Sequence, residues 1–134
     1  MAAMMVPGSS MAVPAQAVPS HLRAVVAASF QADATTAYRL IEPVCGTTSN
    51  PVQAKRYDPF RARLAALHRR AAGTPFQAIL AEAKRQQELL AASVDCARLT
   101  YDGGTAARIT KDLATAGQAL SRMERAVSSY TERH

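Results

Sequence analysis

The chain has no tryptophan, three phenylalanines and four tyrosines in 134 residues, so bulky anchors for a core are few. It has only two cysteines, Cys45 and Cys96, far short of the density of a disulfide scaffold and short of the four ligands a structural zinc site takes. No apolar run approaches the ~18–20 residues needed for a membrane-spanning helix, so no transmembrane segment is expected. The first twenty residues carry no charge at all. Chemical signatures are missing as well. There is no G-x-x-x-x-G-K-[ST], H-E-x-x-H, G-x-S-x-G or C-x-x-C, and no acidic residue has a histidine three places on. The three histidines, His21, His68 and His134, are scattered. These absences argue against an enzyme and leave no cofactor or metal to expect.

What is abundant is alanine, 29 residues of it, with few β-branched residues. Alanine is the best helix former and lets helices approach closely, so the expected fold class is all-α. The size fits one domain that buries roughly two-thirds of its unfolded surface. Residues 1–20 read as an uncharged Pro/Ala/Ser-rich arm or a remnant targeting segment, and 21–134 as a single helical domain. Pro7, Pro14 and Pro19 forbid a continuous helix in the arm. Ala15-Gln16-Ala17 matches the small-residue pattern of a signal-peptidase site, but no basic region precedes it, and Pro7 to Ser10 interrupts the apolar stretch. A cytoplasmic protein is therefore expected, or a periplasmic or secreted one if residues 1–17 belong to a signal peptide.

Four helices are predicted. The first covers about 21–41, with Ser20 as N-cap, apolar positions Leu22, Val25, Val26, Phe30, Ala34, Ala37, Tyr38 and Ile41, and Pro43 as its stop. A loop of turn residues follows. The second covers about 59–72, capped by Asp58 with Pro59 at N1 and stopped at Gly73. Thr74-Pro75-Phe76-Gln77 is a capping box that opens a third helix, about 76–101. The fourth covers about 106–131.

In the last two helices, apolar residues step by alternating threes and fours: 76, 80, 83, 87, 90, 94, 97, 101 and 106, 109, 113, 116, 120, 123, 127, 130. That 3.5-residue repeat predicts a long antiparallel helical hairpin turning at Asp102-Gly103-Gly104-Thr105. Facing residues should sum to about 207, so that Phe76 meets Tyr130, Leu80 meets Val127, and Leu90 meets Ala116 and Gly117. Gln87 interrupts the repeat as a register-fixing or edge residue. The expected architecture is a small helical bundle built on this hairpin, with the first two helices packed across it.

The charge distribution is uneven. Sixteen Lys and Arg against ten Asp and Glu give +6, and residues 51–75 alone carry +5. Six cations, Lys55, Arg56, Arg61, Arg63, Arg69 and Arg70, sit within 55–70 with Asp58 as the one acid. On a helical wheel Phe60, Leu64, Leu67 and Ala71 make the packing stripe, and the arginines wrap the remaining surface. The plainest interpretation is a solvated helix with snorkelling side chains. A helix serving only solubility would mix signs, however, and this one does not. The segment is therefore expected to dock on an acidic partner, making the protein a non-catalytic adaptor or assembly subunit, with homo-oligomers possible. One alternative is nucleic-acid binding through 55–70, though only Tyr57 and Phe60 stand near as stacking residues. Another is an exported helical protein with a Cys45–Cys96 disulfide, whose loop of about fifty residues would be worth ~4 kcal/mol. No motif in the chain carries a resemblance to a known family.

Overall fold

The computed structural model describes residues 20–44, 51–95 and 106–133. The uncharged arm, Cys45, Cys96, His134 and the Asp102–Thr105 turn lie outside the described residues, as does the expected 96–101 end of the third helix. The described chain is all helix: α1 (Ser20–Ile41), a short α2 (Pro51–Lys55), α3 (Asp58–Ala71), α4 (Phe76–Ser93) and α5 (Ala106–Arg133). The single turn of α2 lies where the sequence predicts only a loop.

Helix starts and stops follow local chemistry with two shifts. Asp58 is the first residue of α3 rather than its cap; Tyr57 holds the cap position without a side-chain cap bond. The buried Tyr57 ring fixes the entry of the chain, and its carbonyl accepts from the amides of Phe60 and Arg61 at 3.1 and 2.9 Å. Gly73, at φ 81°, ends α3 in the left-handed conformation that a Cβ would disfavour. The capping box at α4 is displaced by one residue. Thr74 Oγ1 accepts from the amide of Phe76 at 3.2 Å, while Gln77 Oε1 accepts from the amide of Gly73 at 3.0 Å.

Long-range pairs set the directions of the four main helices. Phe30 stacks on Phe76, and Gln87 donates to the Glu42 carbonyl, so α1 and α4 run the same way. Tyr38 bonds His68 and Glu42 bonds Arg61, so α3 runs against α1. Arg56, Arg63 and Arg70 meet Thr110, Glu124 and Ser128 in order, so α5 runs with α3. Antiparallel α4 and α5 are thus present, and Phe76 meets Tyr130 edge to face at 6.1 Å, as the sum rule predicts.

The closest neighbour of α5 is nevertheless α1, which packs on it most extensively and on α4 next. Ala34, Ala37, Ala116 and Ala119 are fully buried, and residues this small let helix axes close in. One core joins Phe30, Tyr38, Ile41, Leu64, Leu67, Phe76, Leu80, Leu120, Met123 and Val127 across four helices. Apart from the Phe76–Tyr130 contact, α4 and α5 approach each other little, because α1 packs on both. Leu90 is 45 % exposed, and Gly117 lies under Phe60 instead. Ile109 and Leu113 form a second small core with Tyr57. The reason is length: α1 ends at Ile41, opposite Gln87, so the last turns of α4 have no α1 to lie on. There Ser93 Oγ bonds back to the Leu90 carbonyl, and Val94 turns to ψ 135°, ending the helix at Ser93 rather than near 101. Gln87 does what a polar residue in an apolar repeat can do best, satisfying the carbonyl of Glu42 at the end of α1. At the other end Val25 and Val26, expected in the core, are 59 % and 43 % exposed, because α4 begins only opposite Phe30.

The aromatic stack is the costliest place to cut. Phe76→Ala is expected to lower urea-unfolding stability by about 3–5 kcal/mol. Leu89→Ala, at an exposed site, should stay within about 0.5 kcal/mol. Equal losses would contradict this account of the core.

Candidate functional site

The basic segment is the feature that sequence and charge single out, and the structure distributes its six cations unequally. Arg56 donates to Gln53 Oε1 at 3.0 Å, to the Ala106 carbonyl at 3.3 Å and to Thr110 Oγ1, which ties the start of α3 to the first turn of α5. Arg61 grips both carboxylate oxygens of Glu42 at 3.2 Å, reaches Asp58 at 3.3 Å, and lies 5.5 Å from the centre of the Tyr57 ring. Arg63 makes a two-pronged pair with Glu124 at 2.8 and 3.3 Å and also donates to Ser121. Arg70 donates to Ser128. These four guanidinium groups bind the helix to its own neighbours. Lys55 and Arg69 are exposed and have no side-chain partner among the described residues. The six residues therefore form no single free array.

On α5 the structure adds cations that segment charge sums hide, because acids balance them within 102–134. Arg122 clasps Asp33 of α1 through Nε and one terminal nitrogen at 2.8–3.2 Å, and that bond raises its already high pKa. Arg125, one turn on, is exposed and without a partner among the described residues. Between α3 and α5 runs an open groove of about 460 Å³, whose walls include Phe60, Arg63, Gly117, Gln118, Arg122 and Arg125. In sequence, the signal for it is the Ser121-Arg122-Met123-Glu124-Arg125 run, where Arg122 and Arg125 share a face opposite buried Met123.

Away from the basic face, Tyr38 and His68 form the one hydrogen-bonded pair of a phenol and an imidazole among the described residues. Burial, with Glu42 and Glu88 nearby, pushes the Tyr38 hydroxyl well above its ordinary range, so it stays protonated in its hydrogen bond with His68 Nε2. Burial and then Lys84 lower the His68 pKa, which favours the neutral ring. The pair is a part-buried polar link between α1 and α3. Among the described residues no group of three or more His, Cys, Asp or Glu side chains could hold a metal ion. None of the described helices is long and apolar enough to cross a membrane. No family model, curated protein or solved structure matches the chain.

Two measurements follow from this geometry. Because the folded-state pKa of His68 lies below its ordinary 6.5, the unfolded chain takes up the proton first as pH falls. The stability linked to His68 is therefore intact above about pH 6.5 and declines below it, down to the folded-state pKa. Melting curves from pH 7.5 to 5 should show a steeper loss for the wild type than for His68→Gln; parallel losses would rule the link out. A double-mutant cycle of Arg63→Gln and Glu124→Gln should give a coupling of about 1 kcal/mol, larger than that of the more exposed Arg85–Glu82 pair.

Proposed function

We propose that the protein is a non-catalytic helical interaction protein, an adaptor or assembly subunit, that docks on an acidic protein through residues 55–70. The observation that carries this reading is a charge of +5 within residues 51–75, of which Lys55 and Arg69 stand exposed with no side-chain partner among the described residues. Lys55 and Arg69 offer charges that no carboxylate among the described residues has claimed. Arg61 and Arg63 support the same reading. Each guanidinium has five N–H donors, and a head already held by an internal carboxylate gives up little rotamer freedom when a second acceptor arrives. An acidic protein is favoured over nucleic acid by the aromatics. Tyr57 is buried and Phe60 half-buried, so neither offers an exposed ring platform beside the cations for bases to stack on.

The test is fluorescence-anisotropy binding to poly-L-glutamate and to duplex DNA across ~50–200 mM salt, with wild type and a Lys55→Glu, Arg69→Glu variant. The expected result is salt-sensitive binding to poly-L-glutamate that the variant loses by about tenfold, with weaker binding to DNA. Tight, steeply salt-dependent DNA binding without poly-L-glutamate binding would transfer the function to nucleic acid.

A further inference from the structure

We infer that the groove between α3 and α5 is the site that receives an acidic amphipathic helix of the partner, taking one apolar side chain on its floor and flanking carboxylates on its arginines. This rests on the acidic-partner reading and locates the specific contact away from the ridge formed by Lys55 and Arg69.

The floor is the first part of the argument. Gly117 has no Cβ, and one built there would stand 3.1 Å from Phe60 Cε1. The missing side chain lets the Phe60 ring lie directly against α5, where Phe60 stays only partly buried. With Leu113 and Ala114 beside it, this makes an apolar patch in an otherwise polar groove. About 460 Å³ falls in the range of sites that take a compact group, far from what a duplex needs.

The rim is the second part. Arg63 and Arg122 each spend Nε and one terminal nitrogen on Glu124 and Asp33, and the remaining terminal nitrogen of each makes no bond among the described residues. That nitrogen of Arg63 lies 3.8 Å from the Cβ position of Gly117, over the floor. Among the described residues, Arg125 adds an unengaged guanidinium and no acidic side chain lines the groove. The cations are therefore held in place before a ligand comes, which lowers the entropic cost of binding. Arg122 and Arg125 are three residues apart on one helix face, ~5–6 Å between Cβ atoms. On a partner helix, carboxylates three and four residues to either side of an apolar anchor share the anchor's face and can flank it. Helix-in-groove recognition reads anchors in this way.

The probe is a fluorescein-labelled helical peptide with one central Phe and Glu three and four residues to either side, with Phe→Ala and all-Gln versions as controls. It is titrated into the full chain at ~50 mM salt. Wild type should bind the Phe peptide about tenfold more tightly than either control. Arg125→Glu and Ala114→Glu, both at exposed positions and checked for unchanged melting, should each weaken binding about tenfold. Lys55→Glu with Arg69→Glu should change it by less than about threefold. If the ridge variant abolishes binding and Arg125→Glu does not, the acidic-partner reading stands and the groove assignment falls. Equal binding of the Phe and Phe→Ala peptides overturns the anchor. Binding of a single-stranded oligonucleotide with no peptide binding overturns both readings.

Discussion

A shortage of bulky side chains is the constraint on which this fold turns. Helix α1 meets its neighbours through Ala34 and Ala37, α5 presents Ala116 and Ala119, and α3 and α4 contribute Ala71 and Ala83. Alanine brings backbones close but removes little apolar surface per residue, and burial energy scales with that surface. The large residues are accordingly concentrated. Phe30, Phe76 and Tyr130 stack at one end, and Tyr57 with Ile109 and Leu113 fills the other. Between these two plugs, polar side chains complete the fastening. Asp33 with Arg122 joins α1 to α5, Glu124 with Arg63 joins α5 to α3, and Tyr38 with His68 joins α3 to α1.

The basic helix then has two roles on different residues. Its apolar stripe is short, with Leu64, Leu67 and Ala71 buried and Phe60 half-covered. Arginine suits the task of holding such a helix down. Its stem covers apolar surface, and its planar head meets a carboxylate with two bonds. Arg56, Arg63 and Arg70 are spaced by seven, two helical turns, and all three reach α5. Arg61, off that edge, holds Glu42 instead; Lys55 and Arg69 have no such duty, and the docking proposal draws on them and on the spare donors of the clamped heads.

The all-helical class, the start of α1 and the burial of α5 were legible because each depends on pattern alone. Seven expected seam positions of α5, from Ile109 to Tyr130, are buried or half-buried. The partner of that face was not legible. A 3.5-residue repeat says that a helix packs along its length, and says nothing of which helix it packs on; α1 carries the small residues that win the place. The end of α4 was missed for a related reason, since the repeat through Leu90 and Val94 continues in sequence past the point where α1 stops. For the candidate site, the cluster of cations was visible at once, but their division was not. A wheel shows where an arginine points and cannot show that Glu124, sixty-one residues on, waits there.

The claim that the arginines of this helix serve the fold before any partner is tested most directly by urea unfolding of two neutralised variants. One carries Arg56→Gln, Arg63→Gln and Arg70→Gln; the other carries Lys55→Gln and Arg69→Gln. The first should lose about 1–2 kcal/mol, after allowance for the screening of exposed pairs, and the second should remain within about 0.5 kcal/mol of wild type. Equal stability of the two variants would mean that the clamps between α3 and α5 contribute nothing, and that the basic helix is only a charged surface.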